Sequence, residues 1–204
     1  EILPSDWSSD VCSSDLPEMT QKSIADALIR LLAEKEYSEI TVAEIADTAG
    51  INRSTYYRNF SSKEDVVRCY YGCIMQKCLA EFETSGTKTN HMYLLTMFRA
   101  FHFHREGLAL CDRARLTPLM LDALNAHILP NGIGGRGSDV FPTAYYVGGI
   151  CNLLAVWISR GMGEAPEEIV RICETLLPDS SQRRLSEAFR SVHGRPIHFI
   201  ARGE

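Results

Sequence analysis

The stretch Thr41-Val-Ala-Glu-Ile-Ala-Asp-Thr-Ala-Gly50-Ile-Asn-Arg-Ser-Thr-Tyr-Tyr57-Arg-Asn-Phe60-Ser-Ser-Lys63-Glu-Asp decides the fold. Thr41, followed three residues later by Glu44, is a capping box and opens a helix. Val42, Ile45, Ala46 and Ala49 share one face of that helix, and Gly50 stops it. Asn52 caps a third, short helix from Arg53 to Phe60. Ser61-Ser-Lys-Glu64 reads as a second capping box, starting a long fourth helix to about Phe82 with Val66, Val67, Tyr70, Ile74 and Cys78 inward. Upstream, Thr20 caps a first helix from Gln21 to Lys35, its apolar face carrying Ile24, Leu28, Leu31 and Leu32. Short helices joined by a glycine turn at this spacing match a helix-turn-helix.

At 100° per residue, Tyr56 and Phe60 share a face and pack on the first two helices. The opposite side presents Ser54 and Arg58, flanked by Thr55 and Tyr57. Hydroxyls, a phenol and a guanidinium are the groups that reach phosphate oxygens and base edges in a major groove. Thr41 adds a helix start that favours a phosphate, and Lys63 opens the fourth helix just past the third. A polar helix face is by itself more often simply solvated. The two capping boxes and the Arg/Tyr/Lys placement favour DNA here.

These residues resemble the N-terminal signature of the TetR/AcrR family of bacterial regulators, over residues 20–67. The order and spacing of Thr41, Ala49-Gly50, Tyr57, Phe60 and Ser62-Lys63 all agree with it. The resemblance implies an all-α homodimer of about nine helices per chain, with a helix-turn-helix domain and a C-terminal ligand-binding and dimerisation bundle. It implies DNA contacts at Thr41, Arg53, Ser54, Thr55, Tyr57, Asn59 and Lys63; the angular argument adds Arg58. Two positions depart from the family pattern. Glu36 stands where glycine is usual, and Tyr56 where an aliphatic residue is usual, so the Tyr56 hydroxyl needs a partner.

Composition fits a globular chain of 204 residues with 45% hydrophobic and 23% charged residues. The net charge of -5 leaves DNA binding to the placement of a few donors rather than to a basic total. Seven cysteines, an odd number without a C-x-x-C pair, speak against a disulfide framework and for a reducing cytoplasm. Residues 1–18 hold a near-duplication, Ser8-Ser9-Asp10-Val11-Cys12 and Ser13-Ser14-Asp15-Leu16, and read as a disordered, non-native extension ahead of Met19. The expected organisation is then a helix-turn-helix domain over 19–65, a ligand-binding and dimerisation domain over 66–178, and a tail over 179–204.

Further helices are expected at about 91–105, 107–115, 118–129, 140–160 and 166–177, with a glycine-rich loop from Asn131 to Ser138 and one more short helix at 182–193. The run 140–160 is long enough to span a membrane, but Pro142, Thr143, Asn152 and two tyrosines dilute it. It reads instead as a buried helix that pairs, with 166–177, against a second copy. Gly148, Gly149, Asn152, Trp157, Ile169 and Cys173 are the expected interface residues. An effector pocket is expected among Met97, Phe98, Phe101, His102, Met120 and Tyr145, although such stripes are more often plain core.

His102 and His104 diverge on a helix and are not read as a metal pair, and no cofactor or metal is expected. Cys69 and Cys73 share a face and suit a thiol sensor or soft-metal site, with inert buried cysteines as the commoner alternative. No nucleophile–base pair, paired carboxylates or phosphate-binding loop supports an enzyme. The expected partners are therefore a palindromic DNA operator, a second copy and a small-molecule effector, and repression relieved by that effector is the expected mode. An activator, or a helical adaptor of the same fold, is the alternative.

Overall fold

Capping residues and apolar stripes place helices where the sequence puts them in a computed structural model that describes residues 16–87, 89–128 and 140–176. In chain order the helices are α1 (Leu16–Glu34), α2 (Val42–Thr48), α3 (Arg53–Asn59), α4 (Lys63–Thr84), α5 (Asn90–Phe103), α6 (Arg105–Arg113), α7 (Leu119–Ile128), α8 (Val140–Ser159) and α9 (Pro166–Leu176). A single 3-10 turn, Tyr37–Glu39, lies between α1 and α2. No strand occurs among the described residues, and none of their helices is long and apolar enough to cross a membrane. The expected short helix at 182–193 and the Asn131–Ser138 loop lie outside the described residues, as do 1–15.

Two local expectations need correction. Helix α1 begins at Leu16, ahead of the expected start at Gln21, so Thr20 lies within the helix instead of capping it. The cap of α4 is Ser62, which accepts from the Asp65 backbone N–H while the Asp65 carboxylate accepts from Ser62 N–H. The capping box is thus one residue later than the Ser61/Glu64 reading. The shift releases Glu64, whose carboxylate accepts a 2.8 Å hydrogen bond from the Tyr37 hydroxyl.

The α1 terminus shows why glycine is dispensable at position 36. Glu36 adopts an extended backbone, φ -68° and ψ 144°, so no left-handed residue is needed there. An orphan carbonyl at the end of α1, that of Leu32, is met instead by the Arg113 guanidinium of α6 at 2.8 Å. Gly50 behaves differently. Its φ is +69°, and the Ile51 N–H reaches the Ala46 carbonyl while the Gly50 N–H reaches that of Asp47, a Schellman closure of α2. A Cβ there would touch nothing within 4 Å, so Gly50→Ala is expected to cost only the backbone strain, about 1–2 kcal/mol. A lowered thermal midpoint with unchanged helical circular dichroism checks it.

One continuous core runs through the molecule. Helix α4 is its spine, packing against α1, α5 and α7, while α5 lies against α9 and α8 against α6 and α7. Helix α6 touches α1 with very little room. A Cβ at Gly107 would lie 2.3 Å from the Tyr70 hydroxyl and 3.2 Å from Ile29 Cγ2, so α6, α1 and α4 meet in hard contact.

Candidate nucleic-acid interface

Helix α3 is held by its buried side. Tyr56 and Phe60 are 0% and 1% exposed, and the Tyr56 hydroxyl donates to the Ser62 carbonyl at 3.1 Å. That bond supplies the partner an aliphatic residue would not need, and it ties the end of α3 to the start of α4. With the inner face fixed, the outer face is fixed too. Arg53, Ser54, Tyr57 and Arg58 are exposed, Tyr57 to 63%.

Asn52 organises this face beyond capping it. Its Oδ1 accepts from the Thr55 backbone N–H and from the hydroxyls of Ser54 and Thr55, at 2.7–2.9 Å. Arg58 lies back along the helix, donating to the Ser54 carbonyl at 3.4 Å and to Thr55 Oγ1 at 3.2 Å. Arg53, by contrast, makes no hydrogen bond or ion pair with any described residue, so its guanidinium is free to meet an anion. Sequence reasoning gave Asn52 only a capping role. Its hub position follows from two hydroxyl residues standing two and three places on, a signal available in the sequence.

Three other expected contacts sit differently. Asn59 is half-buried, and its Nδ2 donates to the Thr55 carbonyl at 2.8 Å. Thr41 is exposed, yet its N–H and hydroxyl both donate to the Glu44 carboxylate, which also pairs with Lys35. Those bonds hold the Glu44 carboxyl down at about 2, the Lys35 ammonium being the largest cause. The Thr41 N–H is therefore already satisfied within the chain and is not a free donor for a phosphate.

Lys63 turns inward. Its ammonium donates to the Tyr37 and Ile40 carbonyls at 2.8 Å each and sits 4.4 Å over the Tyr37 ring. This clamps the α1–α2 connection onto α4. Lys63→Met is accordingly expected to lower the melting temperature by the loss of two charge-assisted bonds, about 1.5–3 kcal/mol each before solvent compensation. If Lys63 acted only on phosphate, the melting temperature would stay put and the salt dependence of DNA binding would fall by about one charge.

The expected effector walls separate. Met97, Phe98 and Phe101 are fully buried core on α5, a helix covered by α4 on one side and α9 on another. His102 stacks on Trp157, centroids 5.7 Å apart, and Tyr145 is 78% exposed. Met120 borders an open groove of about 620 Å³ between the end of α6, α7 and α8 that also includes Gly148 and Asn152. A second cavity of about 430 Å³ lies between α1, α4 and His104, lined by Met19, Lys22, Asp26, Tyr70, Cys73 and Lys77 among others.

Burial, helped by the nearby lysines, lowers the His104 imidazole to about 4. The unfolded chain takes that proton near the ordinary value of 6.5. Stability contributed by neutral His104 is therefore present above pH 6.5 and lost as pH falls toward 4. Denaturation midpoints measured across that window are expected to fall in the parent and to flatten in His104→Gln.

The expected interface residues also divide. Gly149 and Asn152 are exposed and Gly148 half-buried, whereas Trp157, Ile169 and Cys173 are buried within the protomer at 2%, 5% and 5% exposure. Trp157 faces Phe98 and His102 on α5, and α9 packs on α5. The residues left open are Phe141, Tyr145 and Val156 on α8 and Ile172 and Leu176 on α9.

Residues 24–68 match the family model described as bacterial regulatory proteins, tetR family. Over 48 residues the chain is 42% identical to the uncharacterized HTH-type transcriptional regulator YvkB of Bacillus subtilis (strain 168), a match covering 24% of this chain and 25% of that protein. The matched segment thus spans a quarter of that curated relative. The fold resembles the crystal structure of Lin0861 from Listeria innocua, with a TM-score of 0.64 at 17% identity over 83% of this chain and 94% of that one. It also resembles a TetR transcriptional regulator from Rhodococcus sp. RHA1, with a TM-score of 0.51 at 19% identity over 79% and 97% of the two chains. At these identities the structural likeness establishes the fold.

Proposed function

We propose that this chain, a TetR-family protein by its residues 24–68, is a dimeric transcriptional regulator that binds a palindromic operator and is released from it by a small molecule. The observation that carries the reading is the outer face of α3. Arg53, Ser54, Tyr57 and Arg58 stand exposed on a helix whose inner face is pinned by buried Tyr56 and Phe60. Phosphate contacts from Arg53 and Tyr57 set the register, and base edges fall within reach of Ser54 and Arg58. DNA as target makes the bacterial cytoplasm the place of action.

Dimerisation is supported by the apolar residues that α8 and α9 leave uncovered. Phe141, Tyr145 and Val156 recur along α8 with Gly149 and Asn152 between them, and Ile172 and Leu176 are likewise uncovered on α9. A second copy related by a two-fold axis buries these residues against their copies and spaces two α3 helices for half-sites about one helical turn apart. Repression fits an operator overlapping a promoter. Release follows when a ligand in the α1–α4 cavity favours a dimer whose α3 spacing no longer matches. Fluorescence anisotropy of the intact chain on duplex DNA from upstream of its own gene tests the reading. Binding that weakens with salt and exceeds binding to scrambled duplex supports it; equal, salt-insensitive signals overturn it.

A further inference from the structure

Six cysteines fall among the described residues, and five of them, Cys69, Cys78, Cys111, Cys151 and Cys173, are buried. Cys73 differs: it is partly exposed, and it forms part of the wall of the α1–α4 cavity. Its Sγ lies 4.0 Å from that of Cys69, one helical turn back along α4. Lys22 and Asp26 of α1 line the same cavity, as do Tyr70 and His104. Burial raises the thiols of Cys78, Cys111, Cys151 and Cys173. Cys73 moves the other way: the hydrogen bond from Cys69 outweighs burial and the Asp26 and Glu18 charges, which oppose the thiolate, and the Lys22 charge adds a smaller push in its favour.

The geometry selects among thiol chemistries. A disulfide needs Cβ atoms about 3.5–4.5 Å apart, whereas i and i+4 on a helix hold them about 5–6 Å apart. Closing it would distort α4. A metal ion needs more ligands than this pair, and no group of three or more candidate ligands occurs among the described residues. Addition at one sulfur requires neither a second thiol nor a third ligand, and the cavity of about 430 Å³ has room for the incoming carbon skeleton.

We propose that Cys73 is a covalent modification site for small alkenes conjugated to a carbonyl, which enter the α1–α4 cavity and bond to its sulfur beside Lys22. The thiolate sulfur forms one C–S bond to the β-carbon, and the alkene π bond breaks. Its electron pair moves to the carbonyl oxygen as an enolate, next to the Lys22 ammonium, and the α-carbon then takes a proton from solvent. No oxidant is consumed. Cys69 positions the reacting thiolate by donating to it, and does not itself react. The adduct fills space between α1 and α4, whose packing fixes the helix-turn-helix on its spine. Its effect on DNA binding rests on the proposed regulator function, whereas the covalent site does not.

A brief pulse of N-ethylmaleimide on the native full chain carrying Cys12→Ser, read by peptide mass spectrometry with fragmentation to separate positions 69 and 73, tests the site. Cys73 is expected to label at least about tenfold faster than Cys78, Cys111, Cys151 or Cys173. Cys69→Ala and Lys22→Met are expected to slow it several-fold while circular dichroism stays unchanged. Labelling of Cys73 no faster than the buried cysteines, or labelling at Cys69 instead, overturns the proposal. Anisotropy of the labelled chain on DNA is the second arm. A fall of at least about tenfold in affinity supports the regulatory link, and full affinity after labelling removes that link while the site stands.

Discussion

Tyr56→Ala is expected to unfold the helix-turn-helix, with a loss of about 3–5 kcal/mol. The ring is fully buried and lies 5.9 Å from the Phe60 ring, edge-on to Tyr57 at 5.5 Å. Truncation removes its packing from a unit whose core is shared by only a few helices, and it also deletes the bond to the Ser62 carbonyl. Tyr56→Phe separates the two contributions. It keeps the ring and removes only the hydroxyl bond, so about 1 kcal/mol is expected. Calorimetric melting of both variants checks the pair of values. If Tyr56→Ala melted within a few degrees of the parent, the placement of α3 in this fold would be wrong.

The second large effect is on DNA binding. Arg53→Ala combined with Tyr57→Ala is expected to weaken operator binding by about 2–6 kcal/mol, at least about 30-fold, if each side chain is worth about 1–3 kcal/mol. Both are exposed and neither hydrogen-bonds a described residue, so the stability loss is limited to the edge-on Tyr56–Tyr57 contact, about 0.5–1.5 kcal/mol. The salt dependence separates their roles. Removing a phosphate-bound guanidinium at position 53 lowers the slope by about one, while removing the Tyr57 phenol, a neutral donor to phosphate, weakens binding and leaves the slope unchanged. An unchanged affinity in the double variant would remove this face from the DNA.

The helix-turn-helix is legible in the sequence because its determinants are local. Thr41 with Glu44, Gly50 and Asn52 each act within four residues, and their hydrogen bonds form as the spacing requires. Ser61 and Ser62 show the limit of such reading. Both offer a hydroxyl three residues ahead of a carboxylate, and the backbone selects Ser62 with Asp65. Lys63 escapes it for a longer-range reason. Its partners, the Tyr37 and Ile40 carbonyls, lie 26 and 23 residues away, and no periodicity announces a carbonyl left over at a 3-10 turn.

The C-terminal half is less legible in finer detail. Apolar spacing on α5, α8 and α9 marks buried faces, but it does not distinguish a face buried within the chain from one buried by a ligand or a second copy. Trp157, Ile169 and Cys173 therefore read as interface in the sequence and are core in the fold. Phe141, Tyr145 and Val156, from the same apolar run as Trp157, are left exposed. The α1–α4 cavity is invisible in the sequence for a similar reason, since it joins Lys22 and Asp26 on one helix to Cys73 on another.

The most direct test of the DNA-binding reading is selection by the intact chain from a pool of random-sequence duplexes, followed by sequencing of the bound fraction. The account predicts enrichment of an inverted repeat with half-site centres about 34–36 Å apart, abolished in the Arg53→Ala/Tyr57→Ala variant. A bound fraction as random as the starting pool, or the same repeat recovered by the double variant, would contradict it.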